Sequence, residues 1–218
     1  MASDNPFDPV NLAKSVPPAI LRPKKDRKPY VCGPIPVPWF QACPPHAALT
    51  GLSLWFVAGM SHRQTALTVA CRKLFGLSQR KLHRDLLALE AAGLITRQTS
   101  PGRLPVVDLL ERQENLEHID PDGTRYVVEP TGRPQYILGP LPVAWFAKAG
   151  ATVTHTGLAL WRAHHMARRS RRQAVTIRPA LRHLFDQDRQ KQRRDIAALA
   201  AAGLVTISRD NAVTLPRC

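Results

Sequence analysis

The chain has 218 residues, of which 31 are lysine or arginine and 16 are aspartate or glutamate, so its net charge is +15 at pH 7. This length suits two small domains, and the positive charge favours a polyanionic partner, nucleic acid before an anionic membrane. No apolar run approaches the roughly 18 residues of a membrane span and no signal peptide opens the chain, which argues against a membrane protein. The four cysteines form no CxxC pair and suit a reducing cytoplasm.

The charge is distributed unevenly along the chain. Residues 162–194 contain eleven arginines and lysines against two acids, and residues 56–84 contain six basic residues and no acid. Residues 111–135 instead contain six acids and three arginines. The pattern predicts a basic working surface in each half and an acidic connector between them.

Four stretches of sequence occur twice, in the same order. Residues 30–40 read YVCGPIPVPWF and residues 136–146 read YILGPLPVAWF, while GLSLW at 51–55 returns as GLALW at 157–161, both at an offset of 106 residues. The repeat continues with LF at 74–75 and 184–185 and with AAGL at 91–94 and 201–204, at an offset of 110 because the second copy has an insertion of about four residues. A period this long indicates a duplicated domain rather than a solenoid unit. We therefore predict a basic Pro-rich tail over residues 1–29, a domain over 30–110, an acidic linker over 111–135 and a second domain over 136–218.

Each copy begins with a proline-rich strap, expected to be extended because proline fixes φ and lacks an N–H. The strap ends in Trp-Phe, which we expect to anchor it on the core. Apolar spacing then predicts a helix over 47–60, matched by 154–166. A short strand over 65–69 (175–177 in the second copy) and a short helix over 70–75 follow. Ser78 is predicted to cap a longer helix that runs to residue 92, and residues 94–97 and 104–109 are predicted to form a two-stranded hairpin.

This order of elements resembles the winged helix-turn-helix domain of bacterial DNA-binding regulators. LFGLS at 74–78 as the turn and LLALEAAGLI at 86–95 as the end of the recognition helix carry the resemblance, which covers about residues 44–110 and 150–215. It implies a mostly α-helical, α+β fold with small β wings, in which two winged-helix domains follow one another. It also implies that the helix after Ser78 reads DNA.

The faces of that helix agree with such a role. Leu82, Leu86 and Leu89 share one side, which predicts a buried stripe. The opposite side and its flanks carry side chains that recognise bases and phosphates: Gln79, Arg80, Lys81, His83 and Arg84. The second copy offers Arg189, Gln190, Lys191, Arg193 and Arg194. Asp85 and Asp195 each follow a lysine by four residues, which predicts an ion pair within the helix.

Further basic residues are predicted to contact DNA from the loops. Arg97 and Arg103 flank the tip of the first hairpin, and the shorter second hairpin keeps Arg209. The second copy also has an arginine insertion, and its turn reads Asp186-Gln187-Asp188 where the first reads Gly76-Leu77-Ser78, which predicts a looser or differently angled turn. The full set of predicted DNA contacts is Ser78, Gln79, Arg80, Lys81, His83, Arg84, Arg97, Arg103, Arg168, Arg169, Arg171, Arg172, Arg189, Gln190, Lys191, Arg193, Arg194 and Arg209.

No enzyme motif occurs in the chain, and we expect no cofactor. Cys43 and His46 have a ligand-like spacing but lack a second pair, so no metal site is expected either. We expect a cytoplasmic, nucleoid-associated protein that binds specific double-stranded DNA as a transcriptional regulator. One chain would then act as a pseudo-dimer with two recognition helices.

Other uses of this architecture stay open from the sequence. A replication initiator, partition protein or recombination accessory protein of a plasmid or mobile element would make the same contacts. A winged-helix adaptor for other proteins is a further alternative, and partners could include a second copy or another DNA-bound protein.

Overall fold

The computed structural model describes residues 29–61, 64–100, 104–110, 116–119, 125–128, 135–169, 175–176, 184–185, 187–208 and 212–215. Within these residues, helices are combined with small antiparallel sheets, which agrees with the predicted α+β class. None of the described helices is both long enough and apolar enough to cross a bilayer.

The first half contains a strap, four helices and a three-stranded sheet. Its elements are β1 (Tyr30–Val31), β2 (Ile35–Pro36), α1 (Val37–Ala42), a 3₁₀ turn (Pro45–Ala47), α2 (Ala48–Ser61), β3 (Gln64–Thr65), α3 (Val69–Leu74), α4 (Gln79–Ala91), β4 (Ile95–Gln98) and β5 (Val106–Leu109). The strands of the sheet are arranged in the order β3-β5-β4.

The second half follows the same order, with a sheet arranged β10-β12-β11. Its elements are β8 (Tyr136–Ile137), β9 (Leu141–Pro142), α5 (Val143–Ala149), a second 3₁₀ turn (Ala151–Val153), α6 (Thr154–Arg169), β10 (Val175–Thr176), α7 (Arg189–Ala201), β11 (Thr206–Ile207) and β12 (Ala212–Thr214). The segment expected as a linker includes an antiparallel hairpin of β6 (Leu116–Ile119) and β7 (Arg125–Val128).

Local signals explain the bounds of α4. The Ser78 hydroxyl accepts from the Lys81 N–H (3.2 Å), and Gly93 ends the helix with φ of 67°. Leu82, Leu86 and Leu89 are buried, as the predicted stripe requires. The expected strand over 65–69 is shorter, because the Thr68 hydroxyl accepts from the Cys71 N–H (3.3 Å) and starts α3.

The repeated Trp-Phe and Gly-Leu motifs pack on each other in both halves. The Trp39 indole N–H donates to the Leu94 carbonyl (3.2 Å), and the Trp145 indole N–H donates to the Leu204 carbonyl (2.9 Å). A Cβ added to Gly51 in the middle of α2 would lie 2.7 Å from Cζ3 of Trp39. Glycine is therefore required there by the ring that rests on the helix, and the same relation holds between Gly157 and Trp145.

The two straps pair with each other rather than with their own halves. β1 is antiparallel to β9, with Tyr30 opposite Pro142 and Val31 opposite Leu141; β2 is antiparallel to β8, with Ile35 opposite Ile137. Outside these strands, the Val37 N–H donates to the carbonyl of Gln135 (2.9 Å) and the Val143 N–H donates to that of Pro29 (3.1 Å). Adding 106 to the number of the first residue in a pair and subtracting 106 from that of the second gives another observed pair. The paired straps, called the strap ribbon below, therefore have a pseudo-twofold axis between Gly33 and Gly139.

The helix that follows each strap packs against the other half. From α1, the Gln41 side-chain amide donates to the Leu184 carbonyl (3.0 Å), while α5 contacts α3. The two 3₁₀ turns touch each other, as do α2 and α6. The halves are thus interlocked through their straps.

Candidate nucleic-acid interface

The outward face of α4 is polar and basic, as predicted. Gln79, Arg80, His83, Arg84 and Leu87 are exposed, while the acidic side chain between them, Asp85, is buried. Arg84 Nε lies 3.6 Å from Asp85 Oδ1, yet 67% of the Arg84 side chain is exposed. The guanidinium thus lies beside the buried carboxylate without a hydrogen bond to it and is open to a ligand.

The second helix, α7, presents an equivalent face. Arg189, Gln190, Arg193 and Arg194 are exposed, and Asp195 is buried. Asp188 caps the helix through a bond from the Lys191 N–H (2.6 Å). Within α7 itself, no carboxylate reaches the outward face.

The two predicted lysine contacts are instead directed into the fold. Lys81 forms an ion pair with Asp85, and its ammonium group donates to the His46 carbonyl of the first 3₁₀ turn (2.8 Å). Thr50 completes the arrangement by donating to Asp85 Oδ2 (2.6 Å). The Lys81 side chain is 23% exposed, so its placement supports an internal role rather than a DNA contact.

The same arrangement recurs in the second half. Lys191 lies 2.8 Å from Asp195 and donates to the Thr152 carbonyl of the second 3₁₀ turn (3.3 Å), and Thr156 donates to Asp195 (2.6 Å). The predicted lysine–aspartate pairs are thus confirmed in both halves. Each one fixes the helix to a 3₁₀ turn near the pseudo-twofold axis.

The described residues of the turn before α7 make both apolar and polar contacts with the fold. Leu184 and Phe185 are buried, and the Gln187 side-chain oxygen lies 2.9 Å from the Thr156 hydroxyl. Gln192, which replaces Leu82, is also buried. Asp186 of this turn lies outside the described residues, so a looser or differently angled turn stays a prediction.

Arg97 is also engaged within the fold. Its Nε donates to the Glu90 carboxylate (2.8 Å), and 13% of its side chain is exposed. This bond lowers the pKa of Glu90 below its usual value and joins β4 to α4. Arg103, Arg171, Arg172 and Arg209 lie outside the described residues, as do the side chains of Arg168 and Arg169.

Arg72 is a neighbour of the interface that was not among the predicted contacts. Its guanidinium donates to the Gln79 side-chain oxygen (3.1 Å), which joins α3 to the start of α4. Arg72 belongs to the acid-free basic stretch of residues 56–84, and that was the available signal.

A metal site is not supported by the side chains that the structure describes. No group of three histidine, cysteine or acidic residues converges among them. Burial, and secondarily the charge of Asp85, raise the pKa of the Cys43 thiol to about 12, which disfavours the thiolate that a metal needs.

No protein-family model matches the chain, and neither a curated protein nor a solved structure shows significant similarity to it. The case for a function therefore depends on the two helical faces and on the contacts that orient them.

Proposed function

We propose that this protein binds specific double-stranded DNA and regulates transcription, and that its two halves are tandem winged-helix domains with α4 and α7 as recognition helices. One observation carries the proposal. Each helix has a capped N-terminus and an outward face of arginine and glutamine, to which α4 adds His83, while its only carboxylate in the first two turns is buried against lysine.

The residue types on these faces suit base edges in the major groove. Arginine pairs with O6 and N7 of guanine through two parallel hydrogen bonds, and glutamine pairs similarly with N6 and N7 of adenine. Arg84 and Arg194 hold corresponding places and are both exposed. The β4–β5 hairpin contacts α4 through β4, which supports its assignment as a wing.

The distribution of charge supports a duplex partner over a protein partner. Burying Asp85 and Asp195 against lysines removes both charges of each pair from the outward faces and leaves the arginines there. An adaptor helix would instead be expected to show neutral or acidic side chains. The net charge of +15 adds a general attraction to phosphates.

Selection of bound duplexes from a random-sequence pool, followed by binding measurements on the enriched sequence, tests the proposal. We expect Arg84→Ala to weaken binding by about tenfold or more, since one bidentate base contact is worth about 1–3 kcal/mol. We also expect affinity to fall steeply with salt. Arg84→Lys is the matched variant, because it keeps the charge but loses the bidentate pairing.

Two results would contradict the proposal: a pool without enriched sequences, or equal affinity of the parent protein and Arg84→Ala. Mapping the sites on genomic DNA separates transcription from the mobile-element roles. Promoters support regulation of transcription, whereas a plasmid origin or an attachment site supports replication or recombination.

A further inference from the structure

We propose that the DNA ligand is an inverted repeat with two unequal half-sites. The inference rests on the proposed DNA-binding function and adds to it the orientation and the asymmetry of the site. It follows from the symmetry that relates α4 to α7 and from the residues at which the two helices differ.

The strap ribbon supplies the symmetry. All of its pairs are antiparallel and in a single register, and each is converted into another by exchanging the halves. The reciprocal packing of α1 and α5 on the opposite halves obeys the same operation. A pure translation from one half to the other would leave the two straps parallel, whereas a twofold rotation makes them antiparallel. The antiparallel pairing therefore indicates that a rotation relates the two halves.

The recognition helices are tied to this axis by equivalent contacts. Lys81 holds the start of α4 on the first 3₁₀ turn through the His46 carbonyl, and Lys191 holds the start of α7 on the second through the Thr152 carbonyl. The two turns touch each other, so the N-terminal ends of α4 and α7 flank the axis.

A twofold rotation reverses the direction in which the second helix meets the DNA. Two half-sites read at once must then be inverted relative to each other, as for a symmetric dimer. Direct repeats would require a translation between the halves. The centres of the two inverted half-sites are expected to lie about one turn of DNA apart, roughly 10 base pairs.

The exposed residues make the half-sites similar but not identical. Arg84 and Arg194 correspond and predict a guanine at the same place in each half-site. Gln79-Arg80 corresponds to Arg189-Gln190, so glutamine and arginine exchange places at the helix start. Leu87, exposed in α4, can pack on a thymine methyl group, whereas the smaller Ala197 stands there in α7.

The test uses the full chain and the duplex enriched from the random pool. A second duplex keeps the spacing but inverts one half-site to give a direct repeat, and a third has one half-site scrambled. We expect the enriched duplex to bind about 100-fold more tightly than either, because both lose the second tethered contact.

An exchange of residues tests the asymmetry. The double variant Gln79→Arg with Arg80→Gln gives α4 the starting residues of α7. All four positions are exposed, and the exchange removes from the fold only the exposed hydrogen bond from Arg72 to Gln79, so an unchanged urea midpoint is checked first. Selection with this variant should yield a more symmetric inverted repeat. The matched control, Gln190→Arg with Arg189→Gln, should make the other half-site change instead.

Different outcomes would overturn the inverted repeat, the unequal half-sites and DNA binding itself. An enriched direct repeat, or equal binding of the enriched and scrambled duplexes, overturns the inverted repeat while DNA binding stands. An unchanged motif after both exchanges overturns the assignment of unequal half-sites. A pool without enrichment overturns the proposed function itself.

Discussion

Gly33 and Gly139 face each other across the pseudo-twofold axis, and neither position has room for a side chain. A Cβ on Gly33 would lie 2.6 Å from the Ile137 carbonyl oxygen and 2.9 Å from the Gly139 nitrogen. A Cβ on Gly139 would lie 2.6 Å from the Val31 carbonyl oxygen and 2.8 Å from the Gly33 nitrogen. Glycine recurs in both straps because each strap meets the other at this point.

Substitution at the axis should therefore weaken the whole chain. We expect Gly33→Ala to lower the free energy of unfolding by about 1–3 kcal/mol, since the obstructing atoms are backbone and can only move with the ribbon. Urea unfolding followed by tryptophan fluorescence measures this. Gly59→Ala in α2 is the control: its Cβ would come no closer than 3.8 Å, to the Cys32 carbonyl, and a helical alanine should be neutral or stabilising. A Gly33→Ala midpoint equal to the parent's would contradict the account of the axis.

The isolated first half should dimerise. Its strap can pair with a second copy in the register of the strap ribbon, and without a partner it would expose Val31 and Ile35, which are fully buried in the whole chain. We expect residues 29–115 to sediment as a dimer at micromolar concentration, because pairing of two straps would bury these apolar side chains again. Analytical ultracentrifugation checks this, and a folded monomer would show that one half is stable alone.

Short-range signals made much of α4 predictable. Its cap, its glycine stop and its buried leucines all come from residues within a few turns of each other. The pairing of Tyr30 with Pro142 is different, because 112 positions separate them and two-residue strands leave no alternating pattern. The duplicated Gly-Pro motif was visible, but a repeat alone does not tell whether two copies pair with each other.

The lysines show a second limit of sequence analysis. A helical wheel places Lys81 at the flank of the outward face, but its long side chain reaches back to Asp85 and to a carbonyl of another element. Arg97 likewise points into the fold, where its guanidinium donates a hydrogen bond to Glu90. Charge clustering predicted the basic outward face of α4, whereas the direction of each basic side chain depended on acids brought near by folding.

Lys81 and Arg84 should separate stability from binding. We expect Lys81→Met to lower the free energy of unfolding by about 3–5 kcal/mol, because it takes from the fully buried Asp85 carboxylate the ammonium group that contacts it directly. Arg84→Ala removes a largely exposed side chain whose Nε lies 3.6 Å from Asp85, beyond hydrogen-bond distance, and should change stability by less than about 0.5 kcal/mol. Urea unfolding of both variants is the measurement. Equal stability of the Lys81→Met and parent proteins would restore Lys81 as a candidate DNA contact.

His155 joins the halves and should make stability depend on pH. Its ring stacks on Phe185 (centroids 5.0 Å apart) and meets Phe40 of α1 edge-on (6.4 Å). Burial, and then the charge of Lys191, lower the pKa of His155 to about 4, although a hydrogen bond to the Phe40 backbone and the charge of Asp195 act in the other direction. The imidazole is therefore neutral in the folded protein at pH 7.

The sign of the effect follows from proton uptake. Between about pH 6.5 and pH 4 the unfolded chain holds a proton on His155 that the folded protein excludes, so the free energy of unfolding falls as the pH falls through this range. From pH 7.5 to pH 5 this residue should contribute a loss of about 2 kcal/mol. Leu49 holds the equivalent place in the first half, which makes His155→Leu a substitution that the fold already accommodates.

Urea midpoints of the parent and His155→Leu proteins at pH 7.5 and pH 5 measure this contribution as a difference, which cancels the other titrating groups. We expect the parent to lose about 2 kcal/mol more than the variant over that interval. Because His155 lies between Phe40 of α1 and Phe185 of the turn before α7, its protonation should also loosen the contact between the two halves. Equal losses of unfolding free energy in the two proteins would show instead that His155 is protonated in the folded state near pH 6.5, despite its burial.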